Sequence, residues 1–444
     1  MTGAAPSRAL ALPFLDDLRQ VGKSYFAEHG YPSPRNEEWR HFDGSALRGR
    51  AWESGARAPL PLASRPDLRA ALDRVPLAGV PRAHRVVLVD GRVDPSLSTP
   101  DGLPNGVRLE PLSRILARDP ERVGRLLGLS GAHRRHPFAA LNAAHFADGA
   151  VLLVPDGVVA PGPIAVVHVA DGSSLGPGTG RSAHPRLLVH LGENAQATLV
   201  QAFTGVGPDS FTNAATEVYL GPHAHLDHTV LQEEDEGAIH VGTVDVHLAA
   251  GAQLFGHILS LGGGAVRNEW SVQLHGEGAG LTLDGLFLAR GDQRVDNHVL
   301  VDHARPHGGS QQLFKGIVDG RARGSFAGKI VVRPHATKTD AHQKNRNLVL
   351  SREALVDTKP QLEIYNDDVK CTHGSATGRL DEDALFYLRT RGLSESAARG
   401  LLTYAFAAEI AERLEVPALK EHLEERILGW LDGNGSGGAG KGTK

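Results

Sequence analysis

Four short segments, "GENAQATL" (192–199), "GPHAHLDH" (221–228), "AAGAQLFG" (249–256) and "GEGAGLTL" (276–283), share one layout: a small residue, two others, an alanine, then an extended run. Their alanines, Ala195, Ala224, Ala252 and Ala279, fall 29, 28 and 27 residues apart (224−195, 252−224, 279−252). A near-constant period of this length marks stacked supersecondary units, each too small to bury its own apolar face. From about residue 150 the text consists of short alternating runs such as "VLLVP", "IAVVHVA", "RLLVHL" and "TEVYL", broken by Gly, Pro and Asp, with no helix-length stripe for some two hundred residues. Strands without helices make each unit a β-solenoid turn, whose stacking buries a ladder of small aliphatics. A β-sandwich also spaces its strands regularly; the shared layout at a near-constant period favours the solenoid. Composition agrees, since 53 of 444 residues are Gly while only 13 are Phe and 6 Tyr, a mixture suited to tight corners and small interior side chains.

The expected architecture is therefore mainly β, with a parallel β-helix core over 150–378 and other material on both sides. Residues 1–50 read as an N-terminal helical region: Leu10, Phe14, Leu15, Leu18, Val21 and Phe26 approximate a 3.6-residue stripe that Gly30 and Pro32 stop. Residues 51–149 read as a linker ("ESGARAPLPLASRP", 53–66) followed by a mixed α/β region. That region has helices near 67–74 and 111–128 around the hairpin "HRVVLVDGRVDP", whose Asp90-Gly91 pair suits a tight turn. "DGSSLGPGTGRSAH" (171–184) reads as a mobile loop. A C-terminal helical region over 379–432 follows from the stripe Leu380, Ala384, Leu385 and Leu388, from a Ser394 cap, and from Pro417 at the first turn of a last helix. Residues 433–444, "GNGSGGAGKGTK", read as a flexible tail.

Charge and cysteine count narrow the functional classes. With 47 Lys plus Arg against 51 Asp plus Glu there is no global basic field to attract nucleic acid or an anionic membrane. One cysteine rules out an internal disulfide and a self-contained four-cysteine centre, which suits a reducing cytosol. No apolar run approaches the roughly 20 residues that span a bilayer, so the expectation is a soluble cytoplasmic protein.

Four stretches invite chemistry. The tail "GSGGAGKG" has Gly442 where a phosphate loop needs Ser or Thr, and no strand–helix context, and is set aside. "HAHLDH" (223–228) would place His223, His225 and Asp227 on one strand face, a metal-like pattern whose alternative is a structural or water-facing strand. Asp284, Asp296, Asp302 and Asp319 could supply the paired carboxylates of a β-helix carbohydrate-active enzyme, or serve as turn and capping residues. "DDVKCTHGSATG" (367–378) holds the only cysteine, and alternation puts Val369, Cys371 and His373 on one face with Lys370 on the other. A thiol and an imidazole so placed form a two-donor bite for iron or zinc, which leaves a tetrahedral ion half satisfied. The alternatives are a small buried Cys beside an incidental His, or a cysteine nucleophile, for which no orienting group is evident.

From about 284 to 414 the sequence resembles the SufD family of the Suf iron–sulfur cluster assembly machinery. The resemblance rests on "DGLFLARGDQRVDNHVLVDHARPHGGSQQLFKGIVDG", "TDAHQKNRNLVLS", "TKPQLEIYNDDVKCTHGSATGRLDEDALFYLRTRGL" and "AARGLLTYAFAAEI". "PRNEEWRHFD" (34–43) resembles the family's N-terminal signature and "FAALNAAHFADGAVLLVPDGV" (138–158) the start of its core domain. The sibling SufB is less similar: "RNLVLS" lacks a cysteine that SufB carries nearby, and Gly374 stands where SufB has Glu. The resemblance implies a right-handed parallel β-helix between N- and C-terminal helical regions. It also implies a non-enzymatic scaffold pairing with SufB through the β-helix, with the SufC ATPase on the C-terminal helices, and it leaves a homodimer open for the isolated chain. It further implies that His373, with Cys371 beside it, ligates a transient iron or iron–sulfur cluster shared with SufB; no flavin site is assigned. The stripe Leu401, Leu402, Ala405 and Phe406 is expected either to pack on the solenoid end or to face SufC.

Overall fold

The computed structural model describes residues 12–42, 44–54, 64–76, 84–98, 103 and 105–435. The repeated alanines set its geometry. Ala195, Ala224, Ala252 and Ala279 are all fully buried, and each follows a residue in the left-handed backbone region: Asn194 (φ 54°), His223 (φ 57°), Gly251 (φ 65°) and Gly278 (φ 69°). The left-handed residue turns the chain and aims its N–H along the stack, where it meets a carbonyl of the next turn: Asn194 to Pro222, His223 to Ala250, Gly251 to Glu277 and Gly278 to Pro306. The same corner recurs at His307 (φ 59°) and Lys338 (φ 59°), which donate to Thr337 and Asp368. A buried methyl stands behind each of the first four corners, and Gly308 and buried Thr339 behind the last two, so the period becomes a ladder and the chain a parallel β-solenoid of about seven turns.

The strands are β1 (Ala51–Ser54), β2 (Arg85–Val89), β3 (Arg92–Val93), β4 (Arg108–Pro111), β5 (Gly149–Val154), β6 (Val159–Asp171) and β7 (Thr179–Ala183). They continue with β8 (Arg186–Leu191), β9 (Gln196–Val206), β10 (Ser210–Leu220), β11 (His225–Glu233), β12 (Ile239–Leu248), β13 (Gln253–Ser260) and β14 (Ala265–Leu274). The last seven are β15 (Gly280–Ala289), β16 (Arg294–His303), β17 (Gly309–Val318), β18 (Arg323–Val332), β19 (Asp340–Val349), β20 (Leu355–Ile364) and β21 (Lys370–Gly378). Successive strands alternate between two sheets. One runs β20-β18-β16-β14-β12-β10-β8-β5-β4 with β1 and β7 beside it, the other β21-β19-β17-β15-β13-β11-β9-β6-β2-β3. Inward side chains of both sheets, among them Val189, Val218, Val246, Val272 and Val301 of the first and Leu199, Leu226, Leu254 and Leu283 of the second, form one apolar bore.

N-terminal segments add to the same sheets. β2 and β3 form the expected hairpin, with Asp90 (φ 48°) and Gly91 (φ 76°) both in the left-handed region that a type I′ turn requires. The expected loop over 171–184 is partly ordered instead, because β7 pairs in parallel with β1 and β10. The linker reading at 53–66 falls largely on 55–63, outside the described residues, as do Leu10 of the first stripe and tail residues 436–444. Helix α1 (Pro13–His29) packs on α6 (Pro137–His145), with α2 (Ser45–Arg48), α3 (Pro66–Arg74), α4 (Leu112–Arg118) and α5 (Pro120–Gly124) between them in sequence. At the other end α7 (Glu382–Thr390), α8 (Glu395–Ala411) and α9 (Pro417–Gly435) follow β21. Asp381 and Ser394 cap α7 and α8. Buried Ala407, Ile410, Leu419 and Leu423 from these helices join Leu231, Leu259, Leu286 and Leu313 from the outer face of the second sheet in one cluster. That cover is why strands such as β11 are buried on both faces.

Candidate metal centre

β20 and β21 are the edge strands of their sheets. Among the described residues nothing pairs with their outer edges, and their side chains are mostly exposed or half-buried. They form the open end of the solenoid. Leu355, Ile364 and Tyr365 are exposed there, and Leu362, Val369 and Cys371 pack half-buried against the bore.

Register decides where the two donors point. Cys371 pairs with Ala341, which is buried in the bore, and His373 pairs with buried Gln343. Both donors therefore face the bore in its last turn, as the alternation in "VKCTHG" requires. With no further turn stacked on them, Cys371 is half-buried and His373 exposed. The same face continues with Ser375 and Thr377, opposite Asn345 and Asn347. The inner lining carries polar groups among its aliphatics in the early turns, where Gln201 bonds Thr216 and His228, and it is amide and hydroxyl at the open end, where Gln343 donates to Gln312 and Asn347 to Thr377.

Burial pushes the Cys371 thiol above its ordinary value and Asp340 adds to the rise, against a partly offsetting hydrogen bond from Ala341. The sulfur is a neutral thiol at neutral pH, a poor nucleophile that becomes a thiolate ligand when a metal replaces the proton. On the outer side of the same strands His342 contacts Thr372 at 2.6 Å and Asp340 at 2.7 Å. Among the described residues no group of three or more His, Cys, Asp and Glu side chains is placed to hold a metal ion. Cys371 and His373 are two donors, with the rest of a coordination sphere open towards whatever meets this end.

The other sequence candidates are placed differently. His223 occupies a corner, His225 stacks on Phe255 with ring centroids 4.9 Å apart, and Asp227 and His228 are buried on opposite faces of β11. The "HAHLDH" run is thus no ligand set: His223 is exposed at its corner and His225 half-buried, so the run is part water-facing and part structural. Asp284 lies on the second sheet under Arg413, whereas Asp296 and Asp302 lie on the first, bonded to Arg267 and Arg333. They form no carboxylate pair, and as mid-strand ion-pair partners they are not the turn and capping residues expected; Asp319 alone sits in a turn.

The stripe on α8 also divides. Leu402 and Phe406 are half-buried against the C-terminal cluster, and Phe406 receives Lys315 Nζ on its carbonyl at 2.7 Å and over its ring at 4.6 Å. Leu401 and Ala405 are exposed, and the nearby exposed apolar residues that the sequence reading missed are Phe386 and Tyr387 of α7. The signal was present: a stripe of Ala384, Leu385 and Leu388 facing inward leaves 386 and 387 on the other side.

Within "EEWRHF", Trp39 is buried and covers Arg267, whose guanidinium carbon lies 3.8 Å from the indole ring centroid. Arg267 pairs with Asp296 and Glu269, and the segment runs on to the open end, where Glu37 meets Lys359 and His41 lies 3.3 Å from Asp357. The N-terminal segment is a strap across the first sheet from α6 to the last turn.

Comparison with known proteins supplies the context. The family model described as "SUF system FeS cluster assembly, SufBD core domain" matches residues 174–406, and that of the SufBD protein N-terminal region matches 7–166. The chain is 33% identical to the iron–sulfur cluster assembly protein SufD of Escherichia coli over 90% of this chain and 89% of that one. It is 31% identical to a SufBD family iron–sulfur cluster assembly protein of Synechocystis over 93% and 90%, and 26% identical to SufD of Bacillus subtilis over 65% of each.

Proposed function

The chain belongs to the SufBD family of the SUF iron–sulfur cluster assembly system, and from that premise we propose that it is a non-catalytic scaffold subunit of that system. In this reading its open solenoid end pairs with SufB, and Cys371 and His373 supply part of a transient iron or iron–sulfur site completed by SufB. Its C-terminal helices dock the SufC ATPase. The observation that carries the reading is the coincidence, among the described residues, of two strands with unpaired outer edges and two inward-facing donors in the same last turn. Edge strands with open hydrogen-bonding groups are completed by strands of a partner, and a half-built metal site at that edge gains its remaining ligands in the same step.

The docking face for SufC follows the exposed residues: Phe386, Tyr387, Leu401 and Ala405, with Leu402 and Phe406 beneath them as support. Cluster is cargo here, so separation of the two chains would release it.

The test is co-purification of the chain with SufB and SufC, then reconstitution with iron and sulfide. The native complex develops cluster absorbance and His373→Ala develops clearly less at equal complex yield. Equal absorbance would remove His373 from the site, and failure to capture SufB would remove the pairing.

A further inference from the structure

The inward face of β19 carries one methyl and three amides beneath the last turn: Ala341 lies under Cys371, Gln343 under His373, Asn345 under Ser375 and Asn347 under Thr377. Two of these amides have both ends in use. Asn345 donates to the Phe314 carbonyl and exchanges hydrogen bonds with Asn347, which also donates outward to Thr377 at 3.2 Å. Gln343 is different. Its Nε2 donates one turn inward to Gln312 Oε1 at 3.1 Å, while its own carbonyl oxygen is buried with no hydrogen-bond partner among the described residues. The residue is 1% exposed.

A buried oxygen left without a donor is costly, and the fold holds this one in place. The Gln343 amide lies against Gly328 of β18, where a Cβ would stand 2.2 Å from Nε2 and 2.6 Å from Cδ, so its room exists because that position has no side chain. Side chains in one column of a parallel ladder repeat at about 4.8 Å, a step that the hydrogen bond between Gln343 and Gln312 already bridges once. The next step along the column is the exposed imidazole of His373. A neutral imidazole has one N–H and one lone pair. When one ring nitrogen gives its lone pair to a metal, the other keeps the hydrogen and needs an acceptor, which ligating histidines almost always have.

We propose that Gln343 is the positioning residue of His373: its Oε1 accepts the hydrogen of one imidazole nitrogen, which turns the other nitrogen, lone pair free, outward to the iron at the edge that meets SufB. The inference rests on the reading of His373 as an iron donor and adds what orients it. No proton leaves the ring in this step, because the metal takes a lone pair from an imidazole that is already neutral. The hydrogen bond fixes the tautomer and the rotation of the ring. Cys371 has no such support, since the side chain beneath it is the methyl of Ala341. Of the two donors, His373 is the one that the bore holds in register.

The experiment compares Gln343→Met, which removes the acceptor at similar volume, with Gln343→Glu, which keeps an oxygen in its place, both in the complex with SufB and SufC at equal complex yield. Each complex is loaded with ferrous iron in the absence of oxygen and titrated with a ferrous chelator. The imidazole nitrogen hyperfine coupling is then recorded on the reconstituted, reduced cluster. Gln343→Met is expected to weaken iron retention by about 10–100-fold and to alter the nitrogen coupling, whereas Gln343→Glu retains iron as the native complex does. A merely structural glutamine gives the reverse order, because a thioether in the bore is milder than a buried carboxylate. Native-like retention and coupling in Gln343→Met, or that reverse order, overturns the proposal. His373→Ala separates it from the reading beneath it: native-like retention there sinks both, while loss in His373→Ala without loss in Gln343→Met sinks the positioning role alone.

Discussion

Gln343 and His373 are register partners on β19 and β21, the first buried in the bore and the second in the outermost turn of the same column. One turn of solenoid is the whole difference between an interior amide and an accessible imidazole. A partner strand laid on β21 would place its own side chains in that column at about 4.8 Å spacing, close enough to share a metal with His373.

The thiol next to it should behave as a protected one. Since burial and Asp340 raise Cys371, the thiolate fraction at neutral pH falls below that of a free cysteine. Alkylation by iodoacetamide is expected to be slow at pH 7 and to climb steeply only above the ordinary cysteine range. A plateau reached near neutrality would show the opposite shift.

Edge pairing can be blocked without touching the core. Ile364 and Leu355 on β20 are 41% and 43% exposed, so Ile364→Lys is expected to cost the isolated chain less than about 0.5 kcal/mol. Against SufB it introduces a desolvated charge, and affinity should fall by at least about tenfold, or about 1.4 kcal/mol. The pair of measurements is urea denaturation of the chain alone and titration with SufB.

On the C-terminal helices, exposed and supporting residues should separate. Phe386→Asp is expected to leave the melting temperature nearly unchanged and to abolish retention of SufC. Leu402→Asp buries a charge in the cluster beneath and should destabilise the helices by about 2 kcal/mol or more. Equal effects of both on folding would place Phe386 in the core instead.

The strap provides an acid-sensitive anchor. Burial pushes the Glu269 carboxyl up, but Arg267 and His136 outweigh it and hold it down to about 2; Asp296, beside the same guanidinium, is likewise held well below the carboxylate range. Groups lowered on folding contribute stability that is present above their unfolded values, near pH 4, and is lost as pH falls through the folded ones. Stability should therefore drop below about pH 4, and Arg267→Met, which strands two carboxylates, should cost about 3–5 kcal/mol at neutral pH. Tryptophan fluorescence against pH and urea checks both, because Trp39 leaves its buried site when the anchor opens.

Much of the fold was legible because a solenoid is local. The corner at residues 192–195 needs a left-handed residue and a methyl, and the next corner needs the same about 29 residues on, so the repeat could be seen in the text. The pairing of Cys371 with His373 on one face was legible for a similar reason, since alternation is a property of a single strand. The strand β7 was not legible. Its Gly- and Ser-rich text carries no alternation, and it is ordered by pairing with β1 and β10, which lie far from it in the chain. Nor was the burial of Asp227 legible, because it depends on helices that follow some 170 residues later.

The sequence alone determined the period, the strand-by-strand alternation and the chemical identity of the two donors in "DDVKCTHG", because each depends on neighbours within one turn. Only the tertiary structure decided that β21 is the last turn, that its inner face is therefore open, and that the helices after it cover one sheet while leaving Phe386 and Tyr387 bare. Those are questions of what stacks on what. Their answers come from where the ladder stops and which apolar faces meet, and neither is written in any single repeat.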